Sequence, residues 1–484
     1  MEITRESLKA MPPSEAIDIL FALVQQLTAE NAALKAEVAE LKARLNQNSS
    51  NSSKPPSSDG LCKKPPIMRE KSGKKPGGQP GHKGSGLILP KNPDKFITHE
   101  PSQCATCASN STCKAARNQI AGRRHEIDVE IRTHVTEHQQ IRVVCPQSGA
   151  ILLGAYPTNI TSEAQYGIGY TSLVTALNTI GIVSMERIQE LLHGITGISP
   201  SVGTIATMLE TSANAVSGTV AEIKAAVTSA PIVHFDETGV RIGGATEWLH
   251  SASTDDMTYL SVHPKRGKEG MNAAGVLPEF TGTAVHDCWV AYFTYANMAH
   301  ALCNAHVLRE LKAATEDYAQ GWAKEASHLL LEMKQMKESL QQEGATEAPP
   351  LLRATYSATY DRIMSEALLQ NPMPEPIPGK KGRPKRGKIG SLVDRMITHK
   401  PEFLAFFTDF DVPFTNNQAE RDIRMFKVKQ KVSGCFRSKD GATGFAALMS
   451  FISTAKKQGL SAFSSIRDAL LGQSFALPIV ALTE

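Results

Sequence analysis

Two hydrophobic periods divide the chain. Residues 14–46 repeat every seven positions, with Ile17, Val24, Asn31, Val38 and Leu45 on one seam and Leu20, Leu27, Leu34 and Leu41 on the other. A heptad of this kind predicts a helix whose seam needs a partner. β-branched residues on the first seam with Leu on the second favour a parallel pair, and Asn31 would fix its register at a cost in stability. Glu30 and Glu37 can then reach Lys35 and Lys42 of the partner helix. The competing reading is an amphipathic helix packed on its own domain. Residues 160–228 are also helical, and "SMERIQELLHGITGISPSVGTIATMLE" shows two helical patterns around a Gly/Ser/Pro turn, as in a helix-turn-helix. After residue 229 the period shortens. "APIVHFDETGVRI" (230–242) is a buried strand that breaks at Asp236, and "EWLHSASTDDMTYLSVHP" gives two more strands with a turn near Thr254 to Asp256. "FTGTAVHDCWVAYF" (280–293) is an apolar strand broken by Asp287, and a long helical pattern follows from "HALCNAHVLREL". Strand, strand, strand, helix, strand, helix is an α/β layout with carboxylates at the ends of adjacent strands.

Composition adjusts this picture in three places. With 484 residues, several domains are expected rather than one core. No apolar run approaches the roughly 18 residues of a membrane span, and the N-terminus lacks the pattern of a signal peptide, so a cytoplasmic protein is expected. A net charge of +4 says little about nucleic acid, but its distribution does: residues 54–95 hold ten Lys/Arg, Lys74 and Lys75 among them, against three Asp/Glu. Gly and Pro keep that run irregular, which suits an arm tracking phosphates as well as a plain solvated linker. The eight cysteines are too few for a disulfide scaffold. Cys104 and Cys107 in "CATC" have the spacing of a zinc site, with Cys145 as a third ligand and Cys113, His125, His134 and His138 in reserve. Ser148 sits where a second Cys-x-x-Cys would end, so zinc and a metal-free remnant both remain open.

Buried carboxylates at strand ends are costly unless paired or metal-bound. Two that converge repel each other, and a divalent cation relieves the repulsion. Mg²⁺ takes oxygen ligands and leaves room for substrate phosphate, and two such ions suit phosphoryl transfer. A third carboxylate comes from "TNNQAERDIR" (415–424), where Asn416, Asn417, Glu420 and Arg424 share one helix face. Arg421 and Arg424 can meet phosphates beside the metals. Strand-end acids that merely cap turns are the bland alternative. The gap from Asp287 to Glu420 must hold an inserted helical subdomain.

"NSSKPPSSDG", "KKPGGQPGHKG", "HFDETGVRI", "HALCNAHVLREL" and "NNQAERDIRMFKVKQKVSGCFRS" resemble, in this order, the large transposase of the insertion sequence sixty-six family. The resemblance runs from the heptads almost to the C-terminus. It implies a ribonuclease-H-like core with a DDE triad, carried here by Asp236, Asp287 and Glu420, and Mg²⁺ or Mn²⁺ as cofactor. It also implies that "CNAH" places His306, and less directly Cys303, beside the active site. The family's second CxxC-like pair is broken here by Ser148.

The expected organisation is a coiled coil (1–48), a basic linker (49–97), a zinc-finger-like module (98–150) and a helical DNA-binding region (151–228). A core in two parts follows (229–309 and 401–445) around an insertion (310–400), with a helical C-terminal segment (446–484). The expected reaction is strand cleavage at inverted repeats and joining to target DNA, by subunits paired through the coiled coil and aided by the element's small accessory proteins. Basic contacts to DNA are expected from three segments: 54–95; "GKKGRPKRGK", with Arg383, Lys385 and Arg386; and 421–439, with Arg421, Arg424, Lys427, Lys429, Lys431 and Arg437. Two other readings fit the same residues: a DNA-binding regulator on an inactive fold, and a nuclease that cuts without joining.

Overall fold

The protein is described by a computed structural model covering residues 11–45, 87, 89, 92–99, 101–102, 120–374, 384 and 386–477. It divides into two units, Met1–Pro65 with Gln140–Glu484, and Pro66–Gln139. In the second, residues 120–139 form neither helix nor strand, with Ile127, Val129, Ile131 and Val135 all exposed. Cys104, Cys107, Cys113, Lys74, Lys75, Arg383 and Lys385 lie outside the described residues.

The predicted heptad helix is α1, Pro13–Leu45. Its nine seam positions all face solvent, Ile17 at 64% and Leu27 at 61% exposure. A short antiparallel hairpin, β1 (Arg142–Val144) and β2 (Ile151–Leu153), pairs Val143 with Leu152. Four helices follow: α2 (Ile168–Thr179), α3 (Met185–Thr196), α4 (Val202–Ala215) and α5 (Ser217–Thr228). The turn between α3 and α4 is the predicted Gly/Ser signal. Gly197 takes the left-handed conformation that ends α3, and Ser201 accepts the Thr204 amide to start α4. Val174, Ile188, Leu192 and Ile205 close a small core between these helices.

The central sheet has five strands: β3 (Ile232–Ile242), β4 (Ala245–Ser253), β5 (Thr258–His263), β6 (Thr283–His286) and β7 (Ala299–Leu302). Their order is β5-β4-β3-β6-β7. The first three are antiparallel neighbours, while β3, β6 and β7 run parallel. The sheet is mixed because β3 and β4 join through Gly243–Gly244, both at positive φ, a turn that matches strand twist. β5 to β6, by contrast, crosses over through helix α6 (Lys268–Ala274). Two expectations are corrected here. β3 does not break at Asp236 but runs six residues further, because Val240 and Ile242 still bury on the sheet. "HALC" opens as strand β7 rather than helix, since its short apolar run fits the parallel edge beside β6.

Alternation assigns the two faces. Val240, Ile242, Leu249 and Leu260 pack on helices α12 (Asn417–Ser433) and α13 (Lys439–Lys457) through Ile423, Phe426, Phe445 and Met449. Val233, Phe235 and Ala252 face the other way, onto Ile223 and Val227 of α5 and Met271 of α6. Edge strand β5 is not left bare: the Thr258 and Leu260 amides donate to hydroxyls of Thr454 and Ser450 on α13. Between β7 and α12 the chain is helical, as α7 (Asn304–Tyr318), α8 (Gly321–Gln342), α9 (Pro350–Gln370), α10 (Gly387–Thr398) and α11 (Lys400–Thr408). These share a core of their own, with Trp322, Tyr360, Phe406 and Phe407 fully buried. A final helix, α14 (Ala462–Leu470), packs near α2 and α13. No helix among the described residues is long and apolar enough to cross a membrane.

Candidate active site

The parallel strands set the first two carboxylates. The β3–β6 register pairs His234 with Val285, so two residues on, Asp236 comes abreast of Asp287, which follows the last residue of β6. The β6–β7 register in turn brings Cys303 alongside Asp287. Asp236 is held by burial, and by the charges of Glu237, Asp287 and Glu420, well above the ordinary carboxylate range. Its Oδ1 accepts only the Glu237 amide. Asp287 is pushed up to about 6, first by burial and then by Glu237, while the Trp289 amide and the charges of Arg266 and Arg395 pull back.

Glu420 arrives from α12, and the polar stretch before it explains how. Asn416 is buried between strand and helix: its Oδ1 lies 2.8 Å from His234 Nδ1, its Nδ2 donates to the Phe235 carbonyl, and its backbone amide donates to Cys303 Sγ. Three contacts thus clamp the start of α12 against β3 and β7 beside Asp236. Two residues past Glu420, Asp422 is buried and ion-paired with Lys457 at 2.8 Å, and accepts from the Thr258 hydroxyl at 2.9 Å. Lys457 also caps the carbonyls of Thr254 and Met257. Most of the polar density in "TNNQAERDIR" therefore locks a helix to a sheet, and Glu420 is the member left within electrostatic reach of Asp236.

Around Glu420, His306 Nε2 and Arg309 Nη2 each stand 3.7 Å from Oε1, too far for hydrogen bonds. Burial raises the Glu420 carboxyl, and Arg309 and Arg424 oppose the rise. His306 is lowered to about 4 by burial and then by Arg309, so its imidazole is neutral at neutral pH. Its Nδ1 is buried without a partner among the described residues.

Glu237, adjacent to Asp236 but on the opposite sheet face, was not anticipated. Arg266 donates to its Oε1 through Nε at 2.9 Å and Nη2 at 2.6 Å, and the Tyr292 hydroxyl donates to Oε2 at 2.6 Å. The Arg266 guanidinium also lies against the rings of Trp248 and Trp289, 5.1 and 4.1 Å from their centroids. The strand alternation of "HFDETG" could have flagged a second inward acid, but its partner lies 29 residues away, beyond strands β4 and β5.

The donor chemistry fits a hard divalent cation. Asp287 and Glu420 both bear on buried Asp236 with negative charge, although arginines stand near each of those two. Among the described residues, no three His, Cys, Asp or Glu side chains form a ready metal cluster. The spacing suits an ion that brings waters or substrate oxygens of its own rather than a closed protein cage. For zinc, Cys145 ends β1 in a tight turn, its thiol lowered chiefly by the Ser148 hydroxyl, and no second ligand stands beside it among the described residues. His125, His134 and His138 are exposed.

Several expected DNA contacts are turned inward. Lys429 is buried, its ammonium reaching toward the carbonyls of Asn178 and Val183 and lowered to about 8 by burial. Lys427 donates to the Gly239 carbonyl, and Arg386 pairs with Asp394 with its side chain 5% exposed. A cation spent on a buried carbonyl or carboxylate is not offered to phosphate. Arg421, Arg424, Lys431 and Arg437 remain at the surface, with Arg437 2.9 Å from Glu186.

Comparison with known proteins bears on the whole of this region. The profile described as Transposase IS66 family matches residues 164–444, and a family of unknown function (DUF6444) matches residues 9–87. An uncharacterized protein, y4jO, from Sinorhizobium fredii is 34% identical over 96 residues, which cover 19% of this chain and 30% of that protein. The first match spans the sheet, the helical insertion and α12 with all three carboxylates. The chain belongs to the IS66 transposase family.

Proposed function

We propose that this protein cuts the ends of its insertion sequence and joins them to target DNA, with Asp236, Asp287 and Glu420 as the catalytic triad of a ribonuclease-H-like core. The observation that carries the reading is the convergence on Asp236 of β3 of two further acids, Asp287 from the end of β6 and Glu420 from α12, whose charges both raise its carboxyl. The strand order, with Asp236 on the central strand and Asp287 just past its parallel neighbour, supports the fold assignment.

Asp236 and Asp287 would hold Mg²⁺, and Glu420 would complete the oxygen donors. When bound, such ions activate an attacking oxygen and stabilise the leaving one. The chain's own residues do the rest. Asn416 fixes where Glu420 enters, Arg309 and Arg424 steady its carboxylate, and neutral His306 offers a ring nitrogen beside the reacting phosphate. Water attacks the phosphodiester at the element's end and leaves a 3′-hydroxyl. That hydroxyl then attacks a target strand in line. Arg421, Arg424, Lys431 and Arg437 would take phosphates, and α3–α4 is the candidate reader of the inverted repeats.

The apolar seam of α1 points to a parallel pair of copies, which would let two ends be cut together. Sedimentation decides that part: wild type should run as a dimer or larger, and Leu27→Asp should release monomer. A monomeric wild type would remove it.

The test of the chemistry is strand transfer from a labelled, pre-cleaved end into plasmid DNA with Mg²⁺. Asp236→Asn, Asp287→Asn and Glu420→Gln should each lose on the order of 10²–10³-fold or more. Joined product from any variant at the wild-type rate would sink the triad. Nicks without joined product would reduce the protein to a nuclease.

A further inference from the structure

A pocket of about 210 Å³ opens beside Asp287 and His306, and most of its walls have no role in the steps above. Its walls include Arg266, Trp289, His306, Val307 and Arg395. The charges in these walls say what fits. Arg266 is committed to buried Glu237, and Arg395 is paired with Glu310. Asp287 adds negative charge on the rim. A free phosphate would therefore meet carboxylates and no unspent cation. A purely apolar ligand would leave polar atoms unpaired at a cost. One such atom is evident: the hydrogen bonds of Arg266 to Glu237 use Nε and Nη2, leaving Nη1. A neutral, planar ring with both donors and acceptors satisfies such a site. The volume holds about seven waters at ~30 Å³ each, enough for one such ring.

We propose that this pocket receives a single nucleobase, unpaired from the duplex next to the phosphate that Asp236, Asp287 and Glu420 act on. This rests on the DNA-cutting reading above. It adds a requirement that cutting alone does not impose: one base at the cleavage site must leave its stack. The energetic cost of extrusion is smallest where the base is already mismatched.

The test uses the full chain and duplexes carrying the end of its own element, with one mismatch moved position by position across the cleavage site. Binding is measured with Ca²⁺ in place of Mg²⁺, and cutting of the same duplexes is measured separately with Mg²⁺. A mismatch at one position should tighten wild-type binding by about tenfold, with little effect elsewhere. Val307→Trp and Cys288→Phe fill the pocket from two walls, and whichever folds by its thermal melt should lose that gain while binding the fully paired end normally. Cutting by wild type with no position favoured would overturn the pocket and leave the cutting intact. A gain that survives in the filled variants would also overturn it, because the base would be going elsewhere. A favoured position without any cutting would keep the pocket and overturn the catalytic reading instead.

Discussion

Helix α12 carries two acids, two residues apart and so on different sides of the helix, that live under opposite rules. Asp422 is buried and fully answered, by Lys457 at 2.8 Å and the Thr258 hydroxyl at 2.9 Å. Glu420 bears on Asp236, with arginine and histidine nitrogens no nearer than 3.7 Å. Strand β3 repeats the contrast within two residues: Glu237 is saturated by Arg266 and Tyr292, whereas Asp236 accepts one backbone amide and is crowded by three other carboxylates. The paired acids hold elements together. The less fully paired acids carry repulsion that protonation or an added cation would relieve, and under the proposed function that division separates architecture from chemistry.

The contrast breaks if the two kinds of acid respond alike to neutralisation. Asp422→Ala leaves the partly buried Lys457 with two carbonyls but no carboxylate, which should cost at most about 3–5 kcal/mol of unfolding free energy. Asp236→Asn removes one of the crowded charges and should leave stability unchanged or raise it in metal-free buffer, while abolishing cutting. Denaturant unfolding of both variants in EDTA checks this. An Asp236→Asn protein destabilised as much as Asp422→Ala would mean that the crowding is already relieved within the chain, and the case for a cation would weaken.

Much of this was legible in the sequence, for identifiable reasons. Alternation in 230–242 and 280–293 placed Asp236 and Asp287 on neighbouring strands, and the i, i+3, i+4 spacing of Asn416, Asn417, Glu420 and Arg424 foresaw a helix supplying the third acid. What stayed hidden was pairing over long separations. Asp422 meets Lys457 and Thr258, and Glu237 meets Arg266 and Tyr292, and no local pattern marks such partners. The same blindness affected the cations. A run such as 421–439 looks uniformly basic, yet helix periodicity turns Phe426 and Lys429 into one buried face, so Lys429 is spent on carbonyls of the α2–α3 region. The break expected at Asp236 failed because a polar residue in a strand need only face a site, not end the strand.

A smaller effect sharpens the contrast through pH. Asp287 rises from an ordinary 3.8 to about 6 on folding. The folded state therefore binds its proton more tightly than the unfolded chain. Below about pH 4 both states are protonated and the group contributes nothing; between about 4 and 6 the unfolded chain ionises first and stability falls. At pH 7 the full shift costs about 3 kcal/mol. In EDTA, the wild-type unfolding free energy should thus drop across that window by an amount that Asp287→Asn removes. Millimolar Mg²⁺ should recover part of it at pH 7, since an ion that binds only the folded, ionised site stabilises it by mass action. The paired acid is the control. Asp422→Asn should lower stability at pH 7 by removing the ion pair with Lys457. If Asp287→Asn and wild type instead fall in parallel through that window, the carboxylate at the end of β6 is balanced by Arg266 and Arg395 after all, and the charge waiting for a cation belongs to Asp236 and Glu420 alone.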